Sequence, residues 1–198
     1  MVRTPTRPLA ALVALLTVAC AGAPPPKAVP EFELFPLYPQ YVGEQRGEGE
    51  TGDVIHYWTD ADRATHVLHV ADGKLVDAAG RLLDAELETH PERNGFAMYV
   101  LGADGTIYYS FDHKAGYLHH SSLTAGQPVA CAGDLTVILG ELIDVNNGSG
   151  HYRPPPRALD NMALRLAQMG VDLRTVQVKY WGEPDRVPPT EAQTAPAD

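Results

Sequence analysis

Apolar residues in the middle of this chain come in short runs that alternate with polar positions, and each run is broken by a turn. THVLHVADGKLVDAAG, FAMYVLGADGTIYYSF and DLTVILGELIDVNN all carry apolar residues on both sides of a short polar or glycine-containing segment. Asp72-Gly73 and Asp104-Gly105 supply residue types that tolerate positive φ in tight hairpin turns, and Gly140-Glu141 is a weaker version. Three such units at irregular spacing predict local antiparallel pairs rather than a solenoid repeat. One helix is well signalled. Pro154-Pro155-Pro156 suits a first turn, and Leu159, Met162, Ala163 and Leu166 then form one apolar stripe before Gly170. That spacing predicts a helix over about 157–169. LRTVQVKYW follows with alternating Val176, Val178 and Tyr180 and reads as a strand. The fold class is α+β: mostly antiparallel β-hairpins with the helix packed on the sheet, in a single domain over 53–181.

The ends of the chain have a different character. Arg3 and Arg7 precede a short apolar run, Leu9 to Val18, which is too short to span a bilayer and has the form of a secretory h-region. Thr17-Val18-Ala19-Cys20 resembles a bacterial lipobox. It implies a signal peptide over 1–19, with Cys20 lipidated by palmitate-type acyl chains; the other reading is an ordinary signal peptide and an incidental cysteine. Residues 20–52 are proline-rich and read as a tether, and 182–198 as a disordered tail. Alanine rather than aspartate at position 21 resembles the sorting signal of lipoproteins sent onward. The expected location is the bacterial cell envelope, lipid-anchored at the outer membrane.

Charge narrows the partners. Loss of residues 1–19 removes two arginines and no acids, leaving 13 basic against 25 acidic residues, a net charge of −12. Such a chain is repelled by phosphate backbones, so nucleic acid is not an expected partner. Membrane attachment must come from the acyl chains rather than from a basic patch. With Cys20 lipidated, Cys131 in PVACAGDL is a lone thiol in an apolar setting and reads as a small core residue.

Two polar clusters carry the candidate chemistry. AGYLHHSSLTAG presents His119, His120, Ser121 and Ser122; read as a strand, it sends the two histidines to opposite faces. NNGSGHYRPPP presents Ser149, His151, Tyr152 and Arg153 on a turn-rich loop at the start of the helix. There, amide donors and the helix dipole favour an anion, and Arg153 adds a two-pronged donor. The structural alternative has Tyr152 packed beneath the sheet and Arg153 paired with an acid. His66 and His69 lie three apart in a segment read as a strand, which does not suit one metal. No CxxC, HExxH, phosphate loop, dinucleotide fingerprint or GxSxG is present, so no metal or cofactor is expected. A triad of Ser121 or Ser122 with a histidine and Asp134 can be drawn on paper only.

GYLHHSSLTAGQPVACAGDLTV, SGHYRPPPRAL and GVDLRTVQV together resemble the C-terminal domain of plant IQ-motif calmodulin-binding proteins, and HVLHVADGKLVDAAGRLLD resembles their upstream hairpin. Similar segments occur in bacterial secreted and toxin-like proteins. The likeness runs from about Thr65 to Tyr180 and implies a shared domain, not a shared activity. With no IQ motif and no basic amphipathic helix here, calmodulin is not an expected partner. Three readings follow. The first is a lipoprotein domain binding a small polar or anionic ligand between HHSS and SGHYRP. The second is an ADP-ribosyl-transfer-like transferase or hydrolase, with Glu141 or Asp144 as the acid. The third is a structural or interaction module whose signature residues hold the fold.

Overall fold

The computed structural model describes residues 31–86 and 95–188. The expected signal peptide and Cys20 lie outside the described residues, as does the expected tail beyond 188.

A short helix α1 (Asp60–Thr65) precedes a hairpin of β1 (His69–Ala71) and β2 (Lys74–Val76). Then come β3 (Ala97–Leu101), β4 (Ile107–Ser110), a one-turn helix α2 (His120–Leu123), β5 (Cys131–Ile138), β6 (Glu141–Asn146), α3 (Pro156–Met169) and β7 (Gln177–Lys179). The main sheet has the order β4-β3-β5-β6-β7. Its pairs are antiparallel except β6–β7, which are parallel and joined through α3. The α+β class and the hairpins at Asp72-Gly73 and Asp104-Gly105 are as expected. In the third hairpin the turn is Leu139-Gly140, with φ of 46° and 79°, and Glu141 already belongs to β6.

The sheet is buried on both faces. Ala97, Tyr99 and Leu101 of β3 point into one cluster with the α3 stripe Leu159, Met162 and Leu166. Met98 and Val100, the alternate residues, point into a second cluster with Trp58, Leu123, Val129 and Tyr152. This two-sided burial explains the unbroken apolar run in AMYVL. The second face carries both polar clusters.

Three local expectations are corrected. HHSS is a helical turn rather than a strand, with His119 at its N-cap. THVLH begins as the end of α1, because Thr59 and Asp62 form a reciprocal capping box that starts a helix at Asp60. In LRTVQVKYW, Asp172 accepts from the Arg174 amide and holds Leu173–Thr175 in a 3-10 turn, so the strand shrinks to three residues. The stretch read as a tether is not free of the domain from Phe32 onward. Phe32 is buried, Phe35 pairs with Val129 through two backbone hydrogen bonds, and 3-10 turns at Pro39–Tyr41 and Glu44–Arg46 lie on the second face. Aromatic anchors spaced among the prolines supply the apolar contacts that proline-rich composition alone would lack.

Candidate functional site

The NNGSGHYRPPP loop is built by its own side chains. Asn146 Oδ1 accepts from the Gly148 amide at 2.7 Å and from the Asp134 amide at 3.2 Å. Asn147, buried, donates to Pro154 O at 3.0 Å and accepts from the Trp181 amide at 2.8 Å. Gly133 makes the close approach possible: a Cβ there would stand 2.0 Å from Asn146 O. The result fixes His151, Tyr152 and Arg153 in three different directions.

Tyr152 packs on the sheet, accepts from Thr124 Oγ1 at 3.0 Å and donates to Gln127 O at 2.9 Å. Its pKa is raised, chiefly by burial. His120 donates through Nε2 to Gly133 O at 3.0 Å, with Asp134 Oδ1 3.6 Å away. Ser122 Oγ accepts from the His119 amide at 3.1 Å. These three residues tie loops together and are occupied.

His119, Ser121 and His151 do come together. The two imidazoles stack at 4.3 Å between centroids, and His113 meets His119 edge-on at 5.3 Å. Ser121 Oγ lies 3.0 Å from His151 Nδ1. Besides His113, further groups outside the sequence-predicted set complete the cluster: the Tyr41 ring stacks on His151 at 4.1 Å, and the Glu44 carboxylate lies 2.9 Å from His151 Nδ1. Glu44 is only 2% exposed and also accepts from the Tyr57 hydroxyl at 3.1 Å. Its Oε2 has the His151 contact but no well-aligned hydrogen bond.

The electrostatics follow from that packing. Burial alone would raise the pKa of Glu44. The close polar contacts with His151 and Ser121, the charge of His151 and the Tyr57 hydroxyl outweigh it and hold the carboxyl below its ordinary 4.5. Burial first, and then the charges of His151 and His113, push His119 down to about 4. His119 is therefore neutral at pH 7, with Nε2 accepting from the Gly116 amide at 3.2 Å. Burial likewise pushes the Cys131 thiol up to about 12, and it contacts the Tyr99 hydroxyl as an inert core group.

This cluster is not a hydrolytic triad. A serine nucleophile needs its base at one ring nitrogen and the orienting acid at the other. Here Ser121 and Glu44 crowd the same nitrogen, and Ser121 is fully buried. Asp134 faces His120 instead. Glu141 pairs with Lys74 and Asp144 with Lys179, so neither acid of the transferase reading is free. Among the described residues no group of three or more His, Cys, Asp or Glu is arranged to hold a metal ion.

Ser149 and Arg153 belong to a different place. With Asn147, Gly148, Pro154 and Trp181 they line a groove of about 420 Å³. Arg153 adopts φ 43°, unusual for a residue with a Cβ. Its Nε donates to Gly150 O at 3.2 Å, and its guanidinium lies 4.3 Å over the Tyr38 ring. No acidic side chain among the described residues pairs with it. Trp181 is 66% exposed beside it. The start of α3 adds little anion-binding power, because Pro154, Pro155 and Pro156 have no amide hydrogens to offer. The candidate residues thus divide between an enclosed cluster and an open groove. Glu44 and Tyr41 escaped sequence reasoning because they fall in a stretch whose proline content reads as linker. The three-residue spacing of Tyr38, Tyr41 and Glu44 was the available signal.

Residues 62–159 match the family model described as the IQ motif-containing protein middle domain. The chain is 30% identical over 125 residues to the IQ domain-containing protein IQM3 of Arabidopsis thaliana; the alignment covers 63% of this chain and 26% of that protein. No solved structure is significantly similar. The resemblance therefore lies with the middle domain of that family, not with its C-terminal domain. The stretch 62–159, with the histidine cluster's His113, His119, Ser121 and His151 inside it, is similar to the IQ motif-containing protein middle domain.

Proposed function

We propose that this chain is an envelope lipoprotein whose folded unit is an interaction module, and that the module takes a small carboxylate- or phosphate-bearing ligand in the groove between Arg153 and Trp181. The observation that carries this reading is the state of Arg153. In a chain of net charge −10, an arginine with no acidic partner among the described residues is unexpected, and among those residues its guanidinium has one backbone contact and one aromatic platform. A planar fork of free N–H donors suits a carboxylate or phosphate. Trp181 offers a flat apolar face for the rest of the ligand, and Ser149 and the glycine backbone add hydrogen-bonding groups.

Relationship to an IQ domain-containing protein favours an interaction role over an enzymatic one. Calmodulin is not the partner proposed, since the related stretch is a middle domain and the chain carries no IQ motif. The lipid anchor rests on the lipobox-like Thr17-Val18-Ala19-Cys20. No helix among the described residues is long and apolar enough to cross a membrane.

A thermal-shift screen of the full chain against organic acids, nucleotides and sugar phosphates tests the groove. The expected result is saturable stabilisation by at least one anion, lost in Arg153→Ala while the melting temperature of the free protein stays unchanged. Stabilisation by no anion, or equal stabilisation of Arg153→Ala, would overturn it. Cys20→Ser should move the protein from the membrane fraction to the soluble one, and unchanged membrane retention would remove the anchor.

A further inference from the structure

The enclosed cluster has a property that the groove reading does not use. Its buried carboxylate comes from the N-terminal stretch rather than from the sheet and helices that surround it. Glu44 and Tyr41 sit on an N-terminal strap that lies outside the family-matched stretch 62–159, whereas His113, His119, Ser121 and His151 lie inside it. The strap enters the cluster as a ligand would. Tyr41 lays its ring flat on His151, with 5° between the planes. Three residues on, Glu44 places its carboxylate against His151 Nδ1, within reach of Ser121 and under the Tyr57 hydroxyl. A carboxylate this deeply buried is tolerated only where several donors converge on it, and the body of the domain supplies them.

Between Phe35 and Ile55 the strap is further held by Leu37, packed on the second core cluster, by the Arg153 guanidinium over the Tyr38 ring, and by a few backbone hydrogen bonds. Phe35 pairs with Val129, Tyr38 N donates to His151 O at 2.8 Å, and Ile55 N donates to Glu44 O at 3.1 Å. The strap's regular structure is two three-residue 3-10 turns, and Tyr38 and Val42 are exposed. A segment with so few ladder hydrogen bonds, held mainly by Phe35, Leu37 and Ile55 at its ends, is expected at the low-stability end of the fold, opening without unfolding the sheet.

We propose that the pocket formed by His119, Ser121, His151 and Tyr57 is a binding site for an acidic peptide segment with an aromatic residue three positions before a glutamate, occupied in the resting chain by its own Tyr41 and Glu44. A tethered occupant acts at a high effective concentration, so a partner peptide competes only when the strap is weakened or outnumbered.

Two measurements on the full chain test this. Hydrogen exchange of the wild type should show the Tyr38, Glu48 and Glu50 amides exchanging together and at least 100-fold faster than the β5 amides. Exchange of both sets at one common rate would mean that the strap opens only with the whole domain, and would overturn the proposal. Second, a fluorescently labelled peptide of residues 36–48, PLYPQYVGEQRGE, is titrated into wild type and into the chain carrying Tyr41→Ala and Glu44→Gln. The variant should bind the peptide at least ten-fold more tightly than wild type does, and a peptide carrying Glu44→Gln should lose that gain. A folded variant that binds no better than wild type would overturn the proposal. If the variant does not fold, the exchange measurement decides alone.

Discussion

Replacing Glu44 with glutamine keeps the size of the side chain and removes its charge, which isolates the electrostatic part of the cluster. Three polar groups face this carboxylate: the Tyr57 hydroxyl donates to it at 3.1 Å, His151 Nδ1 stands 2.9 Å away as an ion-pair contact, and the Ser121 hydroxyl is within reach. Hydrogen bonds to a charged acceptor contribute about 1.5–3 kcal/mol each and neutral ones about 0.5–1.5. Losing the charge beside one hydrogen-bond donor, one ion-pair contact and one nearby hydroxyl, less the desolvation that a neutral amide avoids, leaves a net destabilisation of about 2 kcal/mol. For a domain of this size that corresponds to about 4–8 °C in melting temperature. If the strap opens as its own unit, the loss is capped by the free energy with which it is docked. Urea denaturation followed by circular dichroism at pH 7.5 measures the difference. The pH dependence has a definite sign. Glu44 has a folded-state pKa below its ordinary 4.5, so its contribution is complete above about pH 4.5 and is lost as pH falls through the folded value. The gap between wild type and Glu44→Gln should therefore narrow below pH 4.5. A loss smaller than about 0.5 kcal/mol at pH 7.5 would refute the reasoning, because it is within the scatter of ordinary surface substitutions.

Acid should weaken the fold before Glu44 titrates. His119 is held at about 4 in the folded chain against an ordinary 6.5, so unfolded chains take up its proton first and stability falls as pH drops from 6.5 to 4. The full gap corresponds to about 3.4 kcal/mol; because the ring is half-exposed, about 1–2 kcal/mol is expected after screening. His119→Phe should flatten that part of a urea-midpoint profile, and an unchanged profile would contradict the assignment. Gly133→Ala should cost at least about 3 kcal/mol or prevent folding, since its Cβ would meet Asn146 O at 2.0 Å and backbone cannot swing aside. Native circular dichroism with an unshifted melting curve for Gly133→Ala would show that the Asn146 approach is not as close as described.

Much of the fold is legible in the pattern of residues. Asp-Gly turns, the α3 stripe and Gly170 mark the hairpins and the helix because each reports a local constraint, either positive φ or one buried face. The HHSS turn was harder to read. Four polar residues between apolar ones carry no period, and the helical turn is held by local contacts, His119 with Gly116 and with Ser122, and by one contact across the domain, Ser121 with His151. The meeting of Ser121 with His151, thirty residues apart, followed from the two polar clusters. The separation of Arg153 from them did not. Adjacent residues on a tight loop point apart, and the left-handed backbone at Arg153 turns its guanidinium out toward Tyr38 and Trp181. The strap was hidden by composition, since prolines read as linker whether or not aromatic residues among them find a surface.

The groove is tested most directly by nitrogen-15 NMR of the full chain, titrated with the anion that gives the largest thermal shift. The two tryptophans give two indole signals, one reporting the groove and one the core. Saturable movement of the Trp181 indole and the Arg153 Nε resonance together, with Trp58 unmoved, is the predicted result. Shifts confined to other residues, or none up to millimolar anion, would contradict it.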